Sequence, residues 1–332
     1  MKVLFRVDDG VGIGSGHLMR CYALAESVQR SGGKVYLSSV SESLQHSDWK
    51  EIDAIIKVEA REIASNEDFH ITNTTAGNVE ADWLVIDGYS FDTAWLNQIG
   101  KNFRVLFIDD LGMINPQVNI ILNHNPGAEE RYKASYALSG QSLLGLDYFL
   151  MREAWRKLHY RPELNRILIT LGGDDQNAKV LGIMIALLED GREFFADVIS
   201  SSPSNVFHQE KVLTETYSGC FSLHRGPVSL PEFMSRAAVV ICGGGVTAIE
   251  AISLGITPVI VVLAENQKPG AKYLESIGSA RTISLQSYES NLKTACIALD
   301  MLSSKETSNN GNHLIDGNGT DKVTTIMKKG LI

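Results

Sequence analysis

The chain has no stretch of about 20 apolar residues, so no membrane-spanning helix is expected. Arg6, Asp8 and Asp9 interrupt any apolar run at the start, which argues against a secretion signal and for a cytoplasmic location. Cysteine is scarce: Cys21, Cys220, Cys242 and Cys296 are scattered, with no CxxC or Cys/His spacing. That pattern excludes a disulfide framework and reads as buried thiols in a reducing compartment. Positive charge is in the minority, with 30 Lys and Arg against 39 Asp and Glu and a net charge of −9. Such a balance argues against a nucleic-acid or anionic membrane partner, both of which need basic patches. A phosphate ligand stays open, because backbone N–H groups at a helix start can hold one without lysine. No G-x-x-x-x-G-K-[ST] run, no G-x-G-x-x-G and no G-x-S-x-G elbow occurs, so kinase-type transfer, ordinary dinucleotide binding and serine hydrolase chemistry lose support. No His/Asp/Glu cluster has metal spacing, and neither a metal nor another cofactor is expected.

Short β-branched runs alternate with helical-period segments along all 332 residues, the pattern of a parallel α/β sheet. Strands are expected near Lys2–Val7, Lys34–Ser39, Trp83–Asp87, Arg104–Ile108 and Val118–Leu122, with helices best marked at Gly16–Ser31 and Asp92–Gly100. A charged helical piece, Arg152–Tyr160, runs into Arg161-Pro162-Glu163-Leu164, the best linker candidate. The alternation then restarts, with strands near Arg166–Leu171, Ala196–Ser200, Cys220–Leu223, Val239–Cys242 and Pro258–Val262. A polar stretch, Ser303–His313, reads as a surface loop before a final short helix. We therefore expect two Rossmann-like domains, 1–158 and 165–332, facing across a cleft. Parallel sheets bind ligands at the carboxyl ends of their strands, and two such edges suit a two-part ligand such as a nucleotide sugar.

Ile13-Gly14-Ser15-Gly16-His17-Leu18-Met19-Arg20 follows the first strand and opens the first helix. His17 falls in the first helical turn, where the backbone N–H groups and the helix dipole disfavour a positive charge, and it is read as a candidate general base. Gly12, Gly14 and Gly16 leave room for close ligand approach, and Ser15 reads as a helix cap rather than a nucleophile. Carboxylates end several strands of the first domain (Asp8, Asp9, Asp87, Asp109 and Asp110), and His124 follows another. In the second domain Gly243-Gly244-Gly245 sits between an apolar strand and a helix, a candidate diphosphate site, and Glu250 on that helix can reach a ribose diol. Each feature also has a plain structural reading as a tight turn, a helix cap or a solvated carboxylate.

The opening block, Phe5-Arg6-Val7-Asp8-Asp9-Gly10 with Ile13-Gly14-Ser15-Gly16-His17-Leu18-Met19-Arg20-Cys21, resembles the PseG/SpsG family, UDP-sugar hydrolases of pseudaminic acid biosynthesis. Matches continue in order through Ile86-Asp87-Gly88-Tyr89, Phe107-Ile108-Asp109-Asp110, Ile121-Leu122-Asn123-His124-Asn125 and Leu171-Gly172-Gly173-Asp174. They end with Gly243 to Glu250, Leu263-Ala264-Glu265-Asn266-Gln267 and Ile315-Asp316-Gly317-Asn318-Gly319. The resemblance implies a GT-B architecture and hydrolysis of UDP-2,4-diacetamido-2,4,6-trideoxy-β-L-altropyranose to UDP and free sugar, without a metal. It makes His17 the base that activates water at the anomeric carbon. It assigns Gly14, Gly16, Arg20, Asp87, Tyr89, Asn123, Gly173, Gly244, Gly245, Val246, Glu250, Asn266 and Gln267 to substrate or UDP binding, with Tyr89 and Asn266 on the sugar side. Other enzymes of a nonulosonic acid pathway would be its partners. A GT-B glycosyltransferase and a non-catalytic nucleotide-sugar-binding protein are the alternatives.

Overall fold

The computed structural model describes residues 1–8, 16–39, 53–57, 62–112, 116–133, 140–172, 178–226, 228–284, 287–304 and 314–331. The described chain divides into two compact units, Met1–Arg156 with Gly317–Ile332, and Lys157–Asp316.

The first unit carries β1 (Lys2–Val7), α1 (Gly16–Arg30), β2 (Lys34–Ser39), β3 (Ala54–Lys57), α2 (Asn66–Asn78), β4 (Trp83–Asp87), α3 (Thr93–Ile99), β5 (Val105–Ile108), β6 (Ile120–Asn123), α4 (Ala128–Lys133), β7 (Gln141–Leu144) and α5 (Glu153–Arg156). Its sheet order is β3-β2-β1-β4-β5-β6-β7, parallel throughout. The second unit carries β8 (Glu163–Thr170), α6 (Lys179–Asp190), β9 (Phe195–Ile199), α7 (Ser204–Thr216), β10 (Phe221–His224), α8 (Leu230–Arg236), β11 (Ala237–Gly243), α9 (Val246–Ser253), β12 (Val259–Val262), α10 (Lys268–Ser276), β13 (Arg281–Ser284) and α11 (Tyr288–Ser304). Its order is β10-β9-β8-β11-β12-β13, again all parallel. Each sheet reverses its strand order once, between β1 and β4 and between β8 and β11. Such a reversal leaves a crevice outside the carboxyl ends of those two strands.

In α1 the residues Leu18, Cys21, Leu24, Ala25 and Val28 recur at helical spacing and are buried against Val3, Phe5 and Val7 of β1 and Val35 and Leu37 of β2. Each fully buried leucine or valine there contributes about 1.5–3 kcal/mol. The strands are apolar on both faces because helices cover both sides, which explains why they read as continuous runs rather than alternating patterns.

Three differences from the sequence reading have physical causes. Residues 161–164 do not form a free linker: Arg161 N–H donates to the Ser235 carbonyl at 2.9 Å, and Glu163 and Leu164 already belong to the eight-residue strand β8. The expected helix over 152–160 is only the four-residue α5. The segment 317–332, expected to close the second domain, belongs to the first unit. Its helix α12 (Gly319–Lys329) sends Val323 and Met327 into the core of α1 and β1. The Trp83 indole N–H donates to the Met327 carbonyl at 3.0 Å, and Thr324 Oγ1 donates to Ser27 Oγ at 2.9 Å. Short strands β3, β7 and β13, of four residues each, were not anticipated.

Truncating Met327 to alanine is expected to destabilise the first unit by about 2–5 kcal/mol. Chemical denaturation followed by tryptophan fluorescence measures this; a loss under about 0.5 kcal/mol would remove α12 from that core.

Candidate functional site

The carboxyl edge of the first sheet gathers polar side chains that should be costly to bury. Asp87 is the last residue of β4 and fully buried, Asp110 follows β5, and His17 and Arg20 stand one turn apart on α1, each 4% exposed. One guanidinium joins the two carboxylates. Arg20 Nε and Nη2 donate to Asp87 Oδ2 and Oδ1 at 2.7 and 2.6 Å, and Nη1 donates to Asp110 Oδ1 at 2.8 Å. A two-pronged pair of this kind holds both partners in fixed orientation.

His17 lies between the same carboxylates. Its Nδ1 is 3.6 Å from Asp87 Oδ1 and its Nε2 is 3.8 Å from Asp110 Oδ2. Nδ1 is buried and has no partner within hydrogen-bond distance among the described residues. The Tyr89 ring meets the imidazole edge-on, with centroids 4.6 Å apart, and its hydroxyl donates to Asp110 Oδ2 at 3.4 Å. Cys21 donates its thiol to Asp87 Oδ2 at 3.3 Å. Burial, reinforced by Asp87, pushes that thiol well above the usual cysteine range, so it stays protonated. Burial alone would raise the Asp110 carboxyl, but Arg20, with smaller help from His124 and His17, brings it well below the usual carboxylate range.

Asn125 completes the support: its Nδ2 donates to Asp110 Oδ1 at 2.6 Å and to Asn123 Oδ1 at 3.0 Å. Asn123 Oδ1 also accepts the Asn125 backbone N–H at 3.0 Å, so its oxygen is committed to the loop. Gly88 is required where β1 and β4 end, because a Cβ there would stand 2.3 Å from Asp8 Cβ. Arg20, Asp87, Gly88, Tyr89, Asp110 and Leu111 help line a small concavity beside this edge. His124 is a support rather than a ligand: its Nδ1 accepts the Leu150 N–H at 3.1 Å, and its ring stacks on Phe149. Burial first, and then Arg20, lowers its pKa to about 3.

The corresponding edge of the second unit is built from backbone. β11 ends at Gly243, and α9 starts at Val246 with Gly245 as its cap and no side chain on the free N–H groups. A Cβ at Gly245 would meet nothing within 4 Å, so this helix start is open. At Gly244, by contrast, a Cβ would come 3.1 Å from Gln267 Cβ. Gln267 Oε1 accepts the Leu263 N–H at 2.9 Å and the Gly244 N–H at 3.3 Å, tying two loops together. Glu250 is 3% exposed on α9, not the solvated carboxylate of the plain reading. Asn266 is exposed on the short turn Glu265–Gln267.

Thus His17, Arg20, Asp87 and Tyr89 form one cluster, with Asn123 joined to it through Asn125. Gly244, Gly245, Val246 and Gln267 surround the glycine turn. Gly16 opens α1, while Gly12, Gly14, Ser15, Asp9 and Gly173 lie outside the described residues. Asp110 was read only as one of several strand-end carboxylates, and Asn125 only as part of a matching run. The doubled aspartate after an apolar strand was the signal for the first; nothing in the sequence marks the second. Among the described residues no group of three or more His, Cys, Asp and Glu side chains is placed to hold a metal ion, and no helix is long and apolar enough to cross a membrane.

No protein-family profile matches the chain. It is 23% identical to the spore coat polysaccharide biosynthesis protein SpsG of Bacillus subtilis, over 99% of this chain and 98% of that one. It is also 23% identical to the protein MJ1062 of Methanocaldococcus jannaschii, where the match covers 80% of this chain and 56% of the relative, little more than half its length. Among solved structures, a putative UDP-N-acetylglucosamine 2-epimerase from Listeria monocytogenes superposes with a TM-score of 0.71 at 13% identity, over 100% of this chain and 97% of that one. MurG of Acinetobacter baumannii gives 0.66 at 16%, over 99% and 100%. The spinosyn rhamnosyltransferase SpnG with thymidine diphosphate gives 0.66 at 18%, over 98% and 100%. The chain has the two-unit α/β fold of GT-B type found in these solved structures.

The low His124 pKa makes stability depend on pH in a definite direction. Its folded value of about 3 lies below the ordinary 6.5, so the unfolded chain takes up a proton as pH falls through 6.5 while the folded chain does not. Stability is therefore full above pH 6.5 and declines toward pH 3, by about 2 kcal/mol from this group between pH 7 and 5. Denaturation of wild type and His124→Gln at both values should show a shallower decline in the variant; equal declines would contradict a neutral buried imidazole.

Proposed function

We propose that the protein hydrolyses a UDP-linked sugar to UDP and free sugar, with His17 as general base. The observation that carries this reading is the nearly solvent-free imidazole set between two carboxylates that share one arginine, at the carboxyl edge beside the strand-order reversal. Such a group can take one proton from a water whose oxygen attacks the anomeric carbon. The bond from that carbon to the diphosphate oxygen breaks, UDP leaves with the electron pair, and His17 returns the proton to solvent. UDP is a good leaving group, so one base and firm diphosphate binding suffice without a covalent intermediate.

The bare N–H groups at the start of α9 suit a diphosphate, and Glu250 on the same helix suits a ribose diol. The full-length similarity to a spore coat polysaccharide biosynthesis protein supports a nucleotide-sugar substrate, and the resemblance noted above suggests the diacetamido trideoxy-altropyranose compound. On this reading the enzyme works in the cytoplasm alongside other enzymes that prepare a nonulosonic acid for surface glycan synthesis.

Purified protein should release UDP from UDP-2,4-diacetamido-2,4,6-trideoxy-β-L-altropyranose, without acceptor or metal, as followed by NMR. Run in ¹⁸O-water, the reaction should label the sugar hydroxyl and not UDP. Saturable UDP binding without release would instead favour a glycosyltransferase awaiting its acceptor, or a binding protein. His17→Asn is expected to lose at least about a hundredfold in turnover while UDP affinity stays near wild type; turnover within tenfold would remove the base assignment. Glu250→Ala should weaken UDP binding by about tenfold in calorimetry, and an unchanged Kd would take Glu250 out of the ribose role.

A further inference from the structure

The position of Asp110 goes beyond a supporting role. Asp87 Oδ1 stands 3.6 Å from His17 Nδ1, and a carboxylate facing that nitrogen favours the tautomer with its proton there. Nε2 then carries the lone pair, and another acceptor, Asp110 Oδ2, stands 3.8 Å from it. Two acceptors thus face each other across that distance. Their spacing is that of two groups sharing one water, whose oxygen would lie about 2.8 Å from each. Asp110 is held to this spot by Arg20 at 2.8 Å and Asn125 at 2.6 Å, both on Oδ1, which leaves Oδ2 to Tyr89 and to that water.

We infer that Asp110 is a second catalytic residue, which together with His17 holds the attacking water by both of its hydrogens. The inference rests on the hydrolase reading and deepens it. The water gives one proton to His17 Nε2 as its oxygen bonds to the anomeric carbon. The other proton stays on the oxygen, hydrogen-bonded to Asp110 Oδ2, and becomes that of the sugar hydroxyl. Asp110 remains a carboxylate throughout, and its ion pair with Arg20 keeps it so. Held at two points, the oxygen keeps a lone pair aimed in one direction, which is where orientation lowers the barrier.

Asp110→Asn tests this cleanly, because the amide oxygen can keep the Arg20 and Asn125 contacts at Oδ1 while an NH₂ replaces Oδ2. With UDP-2,4-diacetamido-2,4,6-trideoxy-β-L-altropyranose as substrate, kcat should fall by about a hundredfold with KM within threefold of wild type and UDP affinity unchanged. Asp110→Glu keeps the charge that Arg20 requires and serves if the asparagine variant does not fold; its displaced carboxylate should cost a similar factor in kcat. A folded variant of either kind with kcat within threefold of wild type overturns the inference. If that happens while His17→Asn remains inactive, the hydrolase reading stands and only the second water contact is lost. No UDP release by the wild type overturns both.

Discussion

The Arg20 guanidinium is the interaction on which the carboxyl edge of the first unit's sheet depends. It reaches from α1 to the end of β4 and to Asp110, two residues past β5, so a helix and two strands meet at one planar group. Two carboxylates so close together would repel each other. The cation between them offsets that repulsion, fixes both positions and holds the Asp110 carboxyl well below the usual carboxylate range. Removing one partner of such a buried pair typically costs about 3–5 kcal/mol, because the remaining charge is left uncompensated. The same brace determines what His17 faces, since the carboxylate oxygens near its two nitrogens belong to residues that Arg20 holds.

The two units build their carboxyl edges by different physical means. The first uses ionisable side chains around one guanidinium, with Arg20, Asp87 and Asp110 fixed by hydrogen bonds and His17 set between the two carboxylates. The second uses backbone: an uncapped helix start preceded by glycines, with Gln267 bracing the turn from behind. Backbone N–H groups do not titrate, which suits a constant anionic moiety, whereas proton transfer needs a group that can change its charge. Cys21 and His124 border the first cluster yet stay neutral through burial, acting as a donor to Asp87 and an acceptor from Leu150.

Much of the sheet architecture was legible because parallel strands buried on both faces are runs of valine, isoleucine and leucine that stand out from polar connections. Lys2–Val7, Lys34–Ser39 and Trp83–Asp87 are such runs, and the structure has strands at those bounds. Edge strands β3, β7 and β13 were not legible, since runs of four residues carry no distinctive period. The local pieces of the sites were readable too: His17 at a helix start and glycines before α9 follow from chain neighbours alone.

What the sequence could not decide is which distant groups share a partner. Asp110, Asn125 and Arg20 are spread over about a hundred positions, and only strand order brings their carboxylate, amide and guanidinium within 3 Å. Likewise α12 follows the second unit in sequence but packs on α1, because Val323 and Met327 fit the apolar surface left open there. By itself the sequence determined the fold class, the run of strands and helices, and the residue types at the ends of strands, all of which rest on contacts between chain neighbours. The tertiary structure alone decided which charges neutralise one another and where the last helix docks. Those outcomes depend on long-range packing and on burial, which turns a list of acids and bases into a set of fixed partners.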